Sequence, residues 1–265
     1  MKNILLPVHD DEGQEARLQC ALDLARTLEG HLNCIGVTMI PMVTADISSG
    51  AAQAMLLENE REQESLNRAA LEARLGNEDV SWDWTDVVSG MAPALLDASL
   101  LSDIIVLNRQ LDTPSYIDMH DVTSSVVMKA RSPVLAVPET QKGFAAGRAF
   151  IAWDGGEACC YTMRACVPLL KQAEEVCLFT AAEKANGLSP ETAARYLSRH
   201  AIHATVQVVE RGTETPDALI LREAEAWKAD YVLMGAYGRG RLRETFGGVT
   251  KRLLASSPLP LILGR

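Results

Sequence analysis

The sequence predicts an α/β fold of two tandem modules, each a five-stranded parallel sheet with helices on both faces, and three observations carry that prediction. Short apolar or β-branched runs alternate with longer amphipathic runs through all 265 residues, the pattern of strands hidden under helices. The order of those runs occurs twice, so that the second half of the chain restates the first. An apolar run ending at Met234 then opens directly into glycines, the passage from strand to loop to helix that suits an anion.

Taken in order, the run from Asn3 to Val8 reads as a strand leading to His9, and 15–26 follows with helical spacing. The polar stretch 42–50 reads as a loop, and the charged stretch 51–75 as a long helix with a solvated face. Residues 94–107 carry a helix into a strand, and 132–138 close the first unit. Glycine-bearing 139–147 is the connection, which should be exposed and open to proteolysis. The second unit restarts at Arg148 with a strand ending at Asp154, then a single helix over 158–171. Strands are predicted near 148–153, 175–181, 203–209, 230–234 and 259–263. The divisions are therefore 1–142 and 143–265.

Aligning His9 with Asp154 gives an offset of 145, and aligning Asn108 with Gly235 gives 127, so the first half holds 18 extra residues between those points. The long charged helix accounts for them. If the first three strands step one way across the sheet and the fourth returns to the other side of the first, a crevice opens between strands one and four. Asp154 and Gly235, 81 residues apart, would then flank one pocket at the carboxyl edge.

Charge favours the same half. The chain carries a formal net charge of -10, which argues against nucleic acid as a partner. Residues 1–142 hold 10 basic and 22 acidic side chains, whereas 143–265 hold 15 and 13, so an anionic ligand should prefer the second half. No apolar run is long enough to span a membrane, and a cytoplasmic protein is expected. The six cysteines show no metal-site spacing and read as buried free thiols, with a Cys159-Cys160 redox pair as the lesser alternative.

The glycine stretch runs Gly235-Ala-Tyr-Gly238-Arg-Gly240 and reaches Gly247-Gly248-Val249-Thr250, with Arg239, Arg241 and Arg243 available to phosphate. It matches neither the dinucleotide fingerprint nor the Walker A loop. Its plain alternative is a connection that only reverses the chain.

With Ala152-Trp153-Asp154-Gly155 at a strand end and Gly235 and Gly238 at that spacing, the chain resembles the universal stress proteins, in a tandem form. The family pattern is Gly-2x-Gly-9x-Gly-Ser/Thr. Nine intervening residues lead to Gly248 followed by Val249; eight lead to Gly247 followed by Gly248, and the second alignment keeps Val249-Thr250 in step with the family. The resemblance implies Rossmann-like, adenine nucleotide α-hydrolase-like modules and a stress-response regulatory or protective role. It implies ATP, with Mg²⁺ able to accompany it, in the second half: Asp154 near the adenosine, main-chain groups of Ala152 and Met234 lining base and sugar, and Thr180 or Ala181 closing the adenine side. Gly235, Gly238, Gly247, Gly248, Val249 and Thr250 would surround the phosphates.

The first half departs from the pattern, with His9 in place of Asp154 and Asn108-Arg-Gln-Leu111 in place of the glycines. It reads as a degenerate module that packs against the other, with Asp10 and Asp11 as solvated helix acids. The family implies self-association through strand five, and Leu259 to Leu263 offers a candidate edge for a homodimer, with Pro260 lacking a ladder donor. No catalytic residue is assigned, since Ser-Gly-Gly-x-Asp-Ser and His-x-Gly-His are both missing. A weak ATPase and a nucleotide-free scaffold are the competing functions.

Overall fold

The computed structural model describes residues 1–39, 50–111, 118–181, 187–210, 212–236 and 248–265. The first half comprises β1 (Asn3–Val8), α1 (Gln14–Leu28), β2 (His31–Thr38), α2 (Gly50–Leu75), β3 (Ser81–Val88), α3 (Met91–Ala98), β4 (Ile104–Asn108), α4 (Met119–Lys129) and β5 (Val134–Val137). The second comprises β6 (Arg148–Ala152), α5 (Glu157–Ala165), α6 (Val167–Leu170), β7 (Glu175–Ala181), α7 (Pro190–Ser198), β8 (Ala204–Val209), α8 (Pro216–Ala226), β9 (Tyr231–Gly235), α9 (Gly248–Ser256) and β10 (Leu261–Gly264). Residues 42–49 of the expected loop fall outside the described residues, while Gly50 opens α2.

Among the described residues ten strands form one sheet, in the order β3-β2-β1-β4-β5-β10-β9-β6-β7-β8. Each half shows the expected arrangement, with the fourth strand returning to the far side of the first. Pairing is parallel within each half, and the halves join where β10 meets β5 antiparallel, Ile262 opposite Leu135. That join corrects the expectation of a strand-five edge. β10 has β9 on one side and β5 on the other, so both of its flanks are paired. Pro260 lies just ahead of the strand, where its carbonyl accepts from Val232 N at 3.0 Å and its missing N–H costs no rung. The sheet's edges are β3 and β8.

The strands read as nearly unbroken apolar runs because both faces are covered. Ile4, Leu6 and Val8 join one core cluster with Ile151, Leu233 and Ile262, while Leu5 joins the other with Phe150, Val232 and Leu263. The helix expected over 158–171 is broken instead. Pro168 has no N–H to give the preceding turn, so α5 ends at Ala165 and a short α6 restarts beyond Cys166. Ser189 caps α7 by accepting from Thr192 N, with Pro190 in the first turn.

An aspartate fixes the first strand of each half to the fourth. Asp103, just before β4, accepts from Lys2 N at 2.6 Å and Asn3 N at 2.9 Å. Asp230, just before β9, accepts from Arg148 N at 2.7 Å. Burial works against the charged Asp103, but the backbone amides of Asn3 and Lys2 outweigh it and hold the carboxyl below its ordinary 3.8. A depressed folded value means stability present above 3.8 and lost as pH falls through the folded value. Asp103→Asn should therefore cost about 1 kcal/mol at neutral pH, discounted for exposure. In pH-dependent denaturation the gap from the parent chain should close below that value; a gap that persists in acid would sink the assignment.

The connection between the halves is anchored at Phe144. Phe144 is buried with its ring 5.3 Å from that of Tyr231, and its N–H donates to Asp23 of α1 at 2.9 Å. A groove of about 470 Å³ runs beside it, lined in part by Asp23, Phe144, Asp230 and Pro260. It lies at the amino ends of β9 and β10, away from the crevice where the site is expected.

Candidate functional site

β6 and β9 are parallel neighbours, with Ala152 opposite Met234. The register brings Trp153-Asp154 and Gly235-Ala236 to adjacent strand ends at the carboxyl edge, where such sheets hold ligands. Ala152 and Met234 are both buried, so main-chain atoms are what they offer to a ligand. Trp153 is buried as well, donating its backbone N–H to Phe179 O at 2.7 Å and its indole N–H to Leu188 O at 2.8 Å. Asp154 is exposed and accepts from Gly156 N at 2.8 Å, an Asx turn that leads into α5. Gly155 sits at φ 69°, and a Cβ there would meet Leu188 O at 2.5 Å, so only glycine fits where α7's approach touches the crevice rim.

The glycine at 235 has a packing reason that spacing did not reveal. A Cβ on it would stand 2.5 Å from Cys159 N and 2.9 Å from Ala158 C, both backbone of α5. Its register partner Gly264 would likewise press on Thr162 Oγ1 at 2.7 Å, so the two glycines form a flat floor on which α5 rests. In the first half the same contact is made the other way round. Asn108 occupies the strand end, and Gly13 lies on the helix approach, where a Cβ would collide with Asn108 Oδ1. One side of that contact must be bare in each half.

Gly238 and Gly247, with Arg239, Arg241 and Arg243, lie outside the described residues. Gly248 opens α9 and is exposed; among the described residues a Cβ there would meet the tip of Arg252, at 3.0 Å. Val249 is half-buried and Thr250 buried, turned toward the core with Leu253 and Leu254. Ala181 ends β7 opposite Val209, and Thr180 lies opposite Val208, one strand further from β9 than Ala152. The first half reaches the far end of α9: Arg109 Nη1 donates to Leu254 O at 3.0 Å and Ala255 O at 2.8 Å, satisfying the last carbonyls of that helix.

The corresponding crevice of the first half is filled by the chain's own side chains. Arg17, 1% exposed, donates to Asp11 Oδ1 at 2.8 Å, to Asn108 Oδ1 and to His9 O at 3.2 Å. Asp11 is therefore no solvated helix acid as the sequence suggested; its side chain is 5% exposed and neutralised by Arg17. His9 is buried with Nδ1 against Glu64 of α2. Burial lowers the imidazole's proton affinity, but the Glu64 hydrogen bond and the charges of Glu64, Asp11 and Glu60 outweigh it and raise the pKa above 6.5. Neither Arg17 nor the glutamates were legible as a cluster, since each lies within an ordinary charged helix pattern.

The cysteines behave as structural thiols. All six are free, and burial pushes Cys159 and Cys166 up to about 12, far from a reactive thiolate.

Two five-stranded halves of equal strand order, with a crevice at each switch point, define a doubly wound α/β protein. Residues 168–265 match the model of the Universal stress protein family. A crystal structure of a universal stress protein from Archaeoglobus fulgidus DSM 4304 superposes with TM-score 0.74 at 16% identity, covering 99% of this chain and 98% of that one. A functionally unknown protein from Pseudomonas aeruginosa PAO1 superposes with TM-score 0.59 at 14% identity, covering 100% of this chain and 92% of that one. These likenesses show a shared fold across the whole chain. No curated protein matches the sequence significantly. Among the described residues no helix is long and apolar enough to cross a membrane.

Proposed function

We propose that this chain is a stress-response protein of that family, a regulatory or protective protein that binds an adenine nucleotide, ATP, at the β6–β9 switch point. The observation that carries the reading is the Ala152–Met234 register, which sets Asp154 and Gly235 at neighbouring strand ends. Strand-end carbonyls and amides would read the base, the Asp154 carboxylate would take a ribose hydroxyl, and the loop into α9 would hold the phosphates, with Mg²⁺ as their counter-ion. Residues 143–265 form the binding module and 1–142 its packing partner, whose own crevice is taken by Arg17. Binding rather than turnover is the proposed role, for no histidine lies on the described strand ends of that crevice. A homodimer of this chain would use a surface other than strand five, whose β5 and β10 edges are spent on each other.

The test is direct. Protein purified without added nucleotide is heated, and the released material is separated by ion exchange. Recovery of ATP near one per chain is expected; ADP alone would replace binding with hydrolysis, and no nucleotide at all, even after incubation with ATP, would leave a scaffold.

A further inference from the structure

A second set of donors converges in the first half, away from the β6–β9 crevice. His9 stands one residue past the end of β1, and Glu60 and Glu64 are one turn apart on α2, so both carboxylates leave the same helix face. One ligand atom from each of the three lies within 4.8 Å of the others. The His9 side chain is 5% exposed and that of Glu64 11% exposed. The geometry points to a site for a divalent first-row transition metal of the zinc class, held by the His9 imidazole and the Glu60 and Glu64 carboxylates.

Three features support this beyond the proximity of the groups. First, two carboxylates stand beside one imidazole in a largely buried place, a setting that suits a cation. A dication bound there meets both carboxylates at once with the imidazole uncharged. Second, the donors are held by their surroundings. Asp10 N donates to Glu64 Oε1 at 3.4 Å, and α2 is fixed to α1 by the reciprocal Gln14–Asn67 amide pair at 2.7 and 2.9 Å and by Arg74 on Glu15 at 2.6 Å. Third, the donor set suits the class of ion. One nitrogen and two oxygens at zinc distances lie about 3.4 Å apart on a tetrahedron, within reach of small side-chain rotations, and leave a fourth position for water. An imidazole in the set favours such a metal over Mg²⁺ or Ca²⁺. The long helix α2 lies within the stretch where the first half carries its extra residues, so the ion would pin that addition to the end of the central strand β1.

Calorimetric titration of the EDTA-treated full chain with Zn²⁺ near neutral pH should show one binding event per chain, and saturating Zn²⁺ should raise the melting temperature by about 4 °C or more. Mg²⁺ should give neither effect. Glu60→Gln/Glu64→Gln should abolish the event and the shift, while any weaker uptake by thiols persists. Should the double variant not fold, Glu60→Gln alone must weaken Zn²⁺ about tenfold or more. A parent chain that takes up no Zn²⁺, or variants that bind it as the parent does, would overturn the proposal and leave His9–Glu64 as a plain ion pair.

Discussion

A single methyl group added at Gly235 should cost the chain about 3 kcal/mol, read as a lower denaturant midpoint with an unchanged slope. The new Cβ would lie 2.5 Å from Cys159 N and 2.9 Å from Ala158 C. Both atoms are backbone of α5, which cannot swing aside as a side-chain tip can, so either the helix lifts from β9 or the strand end bends. Gly264→Ala should be milder, because the atom it meets is Thr162 Oγ1, on a side chain able to rotate at the loss of its 2.7 Å bond to Ala158 O. If Gly235→Ala melts with the parent protein and loses only nucleotide, the glycine serves the ligand and the helix–strand contact is not tight.

Gly238→Val should give the opposite pattern, with ATP affinity lost and melting nearly unchanged. The expectation rests on the glycine spacing of the sequence, where a branched side chain would take space reserved for phosphate and block the approach of backbone amides. Asp154→Ala should weaken binding less, by about 1.5–3 kcal/mol, the worth of a hydrogen bond to a charged group. Asn108→Ala in the first half should leave affinity within error while lowering stability, since it strips buried Arg17 of a partner. Direct ATP titration of the four proteins beside their melting curves separates the cases. Binding lost in Asn108→Ala and kept in Gly238→Val would move the site to the other half.

Much of the architecture was legible because strands buried on both faces leave continuous apolar runs that few other elements mimic. The strand predicted at 230–234 is β9 at Tyr231–Gly235, and 175–181 is β7 unchanged. That the ends of β6 and β9 would be neighbours, although Asp154 and Gly235 lie 81 residues apart, was legible too, because a parallel sheet whose order reverses sets the two strands side by side. The α5–α6 break shows a limit: Pro168 stood in the sequence, but helical spacing on both sides of it masked the interruption. Asp11 shows another, since nothing local distinguishes an aspartate in water from one under an arginine.

The amino-acid sequence by itself determined the alternation of elements, the repeat of their order, the faces that must be buried and the strand ends that could meet a ligand. These follow from local spacing and from rules of chain crossing. Only the tertiary structure decided that β5 and β10 seal one another into a ten-stranded sheet, that Arg17 closes the first crevice, and that Gly13 and Gly235 trade places across one contact. Each depends on groups distant along the chain, as Arg17 and Asn108 are by 91 residues. Whether an edge is free, a charge solvated or a glycine required is settled by what packs against it, and that neighbour is not written in the local pattern.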